Sequence, residues 1–389
     1  MLFARLLSKI FNKKGIILID SQGQKYICGK PDLKNPLTVK LLKKDLNWKL
    51  ALNPDGNFPE AYVRGEIEIR NGSLIDFLNM TFENIGRNEI NFYGYMIKNI
   101  LHTWRFITNY NLPTKSKKDI QYHYDKGEDL YDLFLDKKHR QYSCAYFLSE
   151  NENLEDAQQN KINHIIKKLS LRPEQKVLDI GCGWGGLAFE IARQSKCEVT
   201  GISLSENQIN YCNKKAKELK LDNQVHFELC DYRKIKGQFQ RIVSVGAFEH
   251  FGKKFYKTFF KRVHDILTDD GIGLLHTIGS VDSPGPVQPF IQKRIFPGGI
   301  IPSLSEIIKP IEKTGLIIAD CETLIHHYDK TLKAWLERFL KNKEKAKSLY
   351  NKEFVRMWEC YLSMCSAAFN FRDLVVYQLQ LVKNFTALP

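Results

Sequence analysis

The chain has 389 residues, 43% of them hydrophobic and 12% aromatic. At roughly 150 residues per domain this suits two domains, or one with a large appendage, and excludes a fibrous or largely disordered chain. Lys and Arg number 58 against 44 Asp and Glu, a net charge of +14, with eleven basic and three acidic side chains in residues 1–50, a surplus that points to a polyanion or an anionic membrane surface.

Residues 1–15 (MLFARLLSKIFNKKG) carry no signal-peptide core or cleavage site. They read as a short amphipathic helix. Phe3, Leu6, Leu7, Ile10 and Phe11 share one face, and Arg5, Ser8, Lys9, Asn12 and Lys13 the other. Such a helix either lies on anionic lipid or packs on its own domain. Residues 16–70 alternate short apolar runs (GIILID, LTVKLL, YVRGEIEIR) with breakers such as Asn53-Pro54-Asp55-Gly56, the pattern of a small α+β domain. Residues 73–108 read as helical with Ser73 as N-cap, and the polar, proline-bearing 111–118 as a linker. The expected division is an N-terminal domain over 1–110 and a larger one over 120–389. No internal repeat or low-complexity tract stands out.

From residue 154 the pattern changes. Helix 154–169 precedes the buried strand VLDI. Helices GLAFEIARQ, ENQINYCNKKAKEL and KKFYKTFFKRVHDIL then alternate with strands CEVTGIS, VHFELCDY, RIVSVGAF and GIGLLHTIG. Alternation of this kind builds a parallel, doubly wound α/β sheet, whose ligands sit at the carboxyl ends of the strands. Nine cysteines with no C-x-x-C pair are too sparse for a disulfide scaffold and support neither a zinc ribbon nor a redox pair, so reduced thiols in a cytoplasmic protein are expected. No metal centre is expected, and no apolar run approaches the ~20 residues of a bilayer span.

Strand VLDI runs into a glycine turn. Gly181, Gly183 and Gly186 match G-x-G-x-x-G, the dinucleotide fingerprint. That fingerprint also needs an acid at the end of the second strand, where this chain has Thr200-Gly201-Ile202-Ser203-Leu204-Ser205. Asp179, Gly181, Gly183 and Gly185 instead form D-x-G-x-G-x-G, which resembles the first motif of class I S-adenosylmethionine-dependent methyltransferases. Asp231 and Tyr232 follow the third strand, where that fold meets adenine. Ser203, Leu204, Ser205, Asn207 and Gln208 replace the missing acid with hydroxyls and amides that can bind ribose or carboxylate. With Tyr142, Ser143, Cys182 and Trp184 these make up the expected cofactor site.

The segments QYSCAY (141–146), GAFEHF (246–251), LHTIG (275–279), FPGG (296–299), YDKTL (328–332) and WLERF (335–339) complete the pattern. Over 120–389 the chain resembles the cyclopropane-fatty-acyl-phospholipid synthases and the related mycolic acid cyclopropane synthases. Residues 1–110 fit the extra domain of the phospholipid-acting branch by position and size.

The resemblance implies that a methyl from S-adenosylmethionine goes to a cis double bond of a phospholipid acyl chain. A base, bicarbonate or carbonate, then takes a proton as the ring closes. It also implies that Cys144, Glu249, His276 and Tyr328 surround that anion. The Cys144 N–H, the imidazole and the phenol would donate to it, and Glu249 would accept from it or orient His276. Cys365 matches a family cysteine and lies on a helical stripe with Trp358, Tyr361 and Phe369; methyl transfer to an alkene needs no enzyme nucleophile, so a place along the acyl tunnel is expected. The implied setting is a cytoplasmic protein, peripheral on the inner face of an anionic membrane, with a homodimer compatible with it. A methyl, methylene or hydroxyl branch is the alternative product. A nucleic-acid methyltransferase is disfavoured by the lack of an Asn-Pro-Pro-Tyr or Asp-Pro-Pro-Tyr motif, and a catalytically dead lipid-binding scaffold by the intact glycine turn with Glu249, His276 and Tyr328.

Overall fold

A computed structural model describes residues 1–86 and 128–387. The expected linker at 111–118 and the helix beyond residue 86 lie outside the described residues. The chain forms two compact units. Among the described residues the first takes 1–86, Val287–Ile295 and Leu332–Leu374, and the second takes 128–286, Phe296–Thr331 and 375–387.

The expected division into 1–110 and 120–389 does not follow these units, because the first also takes Val287–Ile295 and Leu332–Leu374 from the later part of the chain. The N-terminal residues of the first unit have the expected α+β pattern. Strands β1 (Ile16–Ile19), β2 (Lys25–Cys28), β3 (Thr38–Leu41) and β4 (Ile67–Arg70) form a sheet in the order β2-β1-β3-β4. The β1/β3 pair is parallel, and the pairs β1/β2 and β3/β4 are antiparallel. Helices α1 (Leu2–Ile10), α2 (Leu46–Leu52), α3 (Pro54–Val63) and α4 (Leu74–Ile85) accompany it. Ser73 caps α4 as expected, in a capping box with Asp76. The stripe on α1 is a packing face: Phe3, Leu7 and Phe11 are buried, with Leu6 and Ile10 half-buried. Polar tethers fix the helix at both ends. Phe3 N–H donates to Asn47 Oδ1 (3.0 Å), and the N–H groups of Asn12 and Lys13 donate to buried Asn84 Oδ1.

The second unit carries seven strands: β5 (Lys176–Ile180), β6 (Glu198–Ser203), β7 (Val225–Leu229), β8 (Phe239–Val245), β9 (Leu267–Ser280), β10 (Ile317–Leu324) and β11 (Leu374–Val382), the last beginning at the unit boundary. Their order is β10-β11-β9-β8-β5-β6-β7. Strands β5 to β9 pair in parallel and β10 with β11 antiparallel. Helices α5 (Glu128–Asp132), α6 (Leu154–Leu169), α7 (Gly186–Ser195), α8 (Glu206–Glu218), α9 (Tyr256–Ile266) and α10 (Leu304–Ile311) complete it. Successive strand residues enter opposite cores. Leu178, Ile242 and Leu275 join one cluster, and their neighbours Val177, Val243 and Leu274 the other, so both faces of the sheet are covered.

The chain runs outward from β5 through β6 to β7, then returns to place β8 on the other side of β5. A crevice opens beyond the strand ends at such a reversal. The expected strand RIVSVGAF stops at Val245. Gly246 takes φ +64°, and Phe248–His250 form a 3₁₀ turn that puts Glu249 at the rim. Three further helices, α11 (His327–Lys341), α12 (Lys343–Leu349) and α13 (Lys352–Phe371), precede β11.

Candidate active site

A cleft partly open to solvent sits at the strand ends of the second unit. Its floor is the turn Gly181–Trp184. Gly181 and Gly183 have φ of +84° and +54°, a region that L side chains rarely adopt. A Cβ at Gly186 would fall 2.0 Å from the His139 carbonyl oxygen, so only glycine lets α7 begin beneath the 139–143 strap.

Of the expected cofactor residues, Tyr142, Ser143, Asp179, Gly181, Cys182, Gly183, Trp184, Ser203, Leu204, Gln208, Asp231 and Tyr232 line this cleft. Gly185, Ser205 and Asn207 stand outside its wall. Ser205 is the N-cap of α8, accepting from Gln208 N–H, while Ser203 Oγ lies 2.8 Å from Gln208 Oε1. Gly185 supplies the left-handed residue ahead of α7. Arg140, Gln141, Arg233, Gly246, Ala247, His250 and Phe251 also line the cleft and were not foreseen as site residues.

Arg233 grips Asp231 through both carboxylate oxygens, with Nε–Oδ1 at 2.8 Å. Burial alone would raise the Asp231 carboxyl; the Arg233 hydrogen bonds bring it below its ordinary value. This fork leaves less free negative charge at the strand end where the sequence placed adenine than the sequence suggested. A basic residue two positions after the acid was the available signal.

The strap is held from beneath by a buried lysine that was also missed. Lys161 on α6 donates to Gln141 Oε1 and, at 3.0 Å, to Ser143 Oγ. Burial lowers its pKa to about 8, opposed by Asp136, Cys144 and Asp179. Burial lifts Asp179 to about 7, opposed by Lys161. Asp136 accepts from the N–H groups of His139, Arg140 and Gln141, and Gln158 donates to Ser143 O (2.9 Å). Arg140 lies over Trp184, 4.3 Å from the ring centre. A lysine on the same helical face as Leu154, Ile162, Ile165 and Leu169 was the sequence signal for this role.

The four residues read as anion ligands in this unit come from two pairs of neighbouring elements. Val245 of β8 is in register with His276 of β9, and Glu249 Oε1, just past β8, accepts from Ile278 N–H at 2.6 Å. Glu249 and His276 therefore stand at adjacent strand ends. Glu249 is buried, which raises its carboxyl, and its Oε2 has no hydrogen-bond partner among the described residues. His276 is neutral, its pKa pushed down to about 3, chiefly by burial. The Gln378 amide nitrogen lies 3.1 Å from its Nδ1; as the donor, it leaves Nε2 to carry the ring proton. Cys144 and Tyr328 bracket a second junction, where Ala145 N–H donates to Thr331 Oγ1 (3.0 Å) and Phe147 N–H to His327 Nδ1 (3.0 Å). Cys144 is buried with its thiol pushed up, and Tyr328 is buried on the first turn of α11. None of these four belongs to the cleft wall itself. Cys365 lies in the other unit, on α13, half-buried, with its thiol pushed up to about 12 by burial; a thiol so far from ionising is a poor nucleophile.

Residues 112–379 match the mycolic acid cyclopropane synthetase family. The chain is 42% identical to the cyclopropane-fatty-acyl-phospholipid synthase of Escherichia coli K12 over 272 residues, 69% of each protein. Among solved structures, the cyclopropane synthase MmaA2 from Mycobacterium tuberculosis aligns at 36% identity and a TM-score of 0.65, covering 68% of this chain and 97% of that one. The mycolic acid cyclopropane synthase CmaA1, complexed with SAH and CTAB, aligns at 33% identity and a TM-score of 0.65, with the same coverage. A glycine turn, a switch-point cleft and these matches converge: the chain belongs to the mycolic acid cyclopropane synthetase family of S-adenosylmethionine-dependent methyltransferases.

Proposed function

We propose that the chain adds a methylene from S-adenosylmethionine across the cis double bond of unsaturated acyl chains in membrane phospholipids, closing a cyclopropane ring, with bicarbonate as the base. The observation that carries this reading is the pairing of a buried, half-satisfied Glu249 with a neutral His276 at adjacent strand ends next to the methyl-donor cleft.

The donor supplies an electrophilic methyl group. Asp179, Ser203 and Gln208 offer polar groups along its path, and the glycine turn lets the backbone approach. The Lys161 tether holds Gln141 and Ser143, two walls of that path, in place. An alkene is a weak nucleophile, so the reacting carbons must be aligned and water excluded. Attack places positive charge on the second alkene carbon, and the ring closes when the new methyl loses a proton.

The residues suit a small oxyanion that would accept that proton. The His276 Nε2–H can donate to it. The Cys144 backbone N–H has no acceptor among the described residues, and the unpartnered Glu249 Oε2 can accept an anion's O–H. Glu249 and the anion together would stabilise the passing cation electrostatically. A cytoplasmic enzyme acting on the inner membrane leaflet fits this chemistry, and among the described residues no helix is long and apolar enough to cross a membrane.

The test is mass spectrometry of phospholipids incubated with the protein and labelled S-adenosylmethionine. The expected product gains one CH₂ per monounsaturated chain and resists hydrogenation. A hydrogenation-sensitive or hydroxylated product would replace ring closure with branching.

A further inference from the structure

The apolar stripe of α1 is buried against its own unit, yet α1 and α2 present a second apolar surface to solvent. Trp48 is 61% exposed and Leu52 79%, one turn apart on α2. Leu2, at the start of α1, is 39% exposed. The Phe3 N–H to Asn47 Oδ1 bond joins the residues next to Leu2 and Trp48, so the three exposed side chains lie on neighbouring helices held together. The charge around them is mostly positive, with Asp55 the exposed acid that follows Leu52. Arg5, Lys9, Lys44 and Lys49 are exposed, and residues 1–15 contain no acid. Asp45 is the one acid within 44–52, and it is engaged by Lys49 at 2.6 Å.

We infer that this face, formed by Trp48, Leu52 and Leu2 with Arg5, Lys9 and Lys44, docks the protein on an anionic phospholipid bilayer. The inference rests on the reading above that the substrate chain lies in a membrane, and it assigns the apolar contact to Trp48, Leu52 and Leu2, which neither motif nor periodicity marked. Tryptophan suits the boundary between headgroups and acyl chains, with an apolar body and one N–H donor. Lysine and arginine around it meet the negative surface potential, and two weak signals together give reversible attachment. A second copy of this chain fits the face poorly, because a two-fold contact would set its own cations against each other. A nucleic acid would satisfy the cations and leave Leu2 and Leu52 in water.

The experiment is co-sedimentation of the full chain with vesicles of phosphatidylglycerol or of phosphatidylcholine, without methyl donor, at low and high salt. Tight binding to phosphatidylglycerol, weak binding to phosphatidylcholine and a loss at high salt are expected. The pair Trp48→Ala with Leu52→Ser, and separately Lys9→Glu with Lys44→Glu, should each weaken vesicle binding by about tenfold or more. All four side chains are exposed, so both variants should keep the wild-type Tm and affinity for S-adenosylhomocysteine. Variants that bind like wild type, or equal binding to the two lipids, would overturn the assignment. So would a Trp48-dependent dimer without lipid, which would give the face to a second copy. Binding is read without turnover, so intact vesicle binding beside a missing lipid product in the separate mass-spectrometric assay would count against the proposed reaction alone.

Discussion

At the scale of single residues, burial decides which groups carry charge. His276 is held neutral, and Glu249 is held with one oxygen on Ile278 N–H and the other unpartnered. Glu249→Gln and His276→Ala should each lower kcat by on the order of a hundredfold, the size of a lost preorganised charge or donor. S-adenosylhomocysteine affinity should stay within about twofold, because neither residue lines the cofactor cleft. Calorimetric affinities that fall in step with kcat would move both residues into the cofactor site. Lys161 makes the opposite prediction. Its ammonium bonds two cleft residues directly, so Lys161→Met should raise the KM for S-adenosylmethionine by about tenfold, the worth of a hydrogen bond to a charged group. The kcat at saturating cofactor should change much less. In a Ser143→Ala background the same substitution should cost less, since the shared bond is already gone. Full additivity would show that Lys161 acts on the fold at large. In the sequence only its place on the apolar face of α6 set Lys161 apart from the other lysines; its role depends on what that face meets in the folded chain.

At the scale of elements, α1 shows how one pattern serves two outcomes. An amphipathic stripe reports that an apolar face will be covered and leaves open by what. In the folded chain α2, β2 and α4 cover it. Phe3, Leu7 and Phe11 are each nearly fully buried, worth about 1.5–3 kcal/mol apiece as an upper estimate. Removing residues 1–14 should therefore destabilise the first unit by several kcal/mol on that scale, visible as a lower Tm or a separate early unfolding transition. Unchanged melting would return the helix to a surface role. The 139–143 strap is the converse case. Its residues form neither helix nor strand, so periodicity says nothing about it, and only the motif resemblance pointed to Tyr142 and Ser143. Its shape comes from Asp136 accepting three backbone N–H groups and from Gly186 leaving room for the His139 carbonyl.

At the scale of the whole molecule, the cofactor cleft holds an ionisable group that burial works against. Asp179 rises from 3.8 to about 7 on folding. The folded state then binds the proton more tightly than the unfolded state, so this group's stabilising effect is full below pH 3.8 and is lost as pH rises to about 7. The Tm without cofactor should fall across that window, and Asp179→Asn should flatten the fall; a parallel Tm profile for the variant would remove Asp179 as its cause. The alternation of strands and helices from α6 to β9, the glycine turn, the position of Asp231-Tyr232 and the capped start of α4 were legible in the sequence, whereas β10 and β11 were not. Each of the legible features is local: apolar period, turn chemistry and cap residues act within a few positions, and parallel strands joined by helices leave few topologies. What covers α1, what the buried lysine of α6 bonds, that Ser203 lines the cleft, and that Glu249 and His276 meet at adjacent strand ends were decided only by the tertiary structure. Those outcomes join residues tens of positions apart, or depend on which way a side chain faces. They are set by burial and by the competition of polar groups for partners, and neither is defined until the chain has closed on itself.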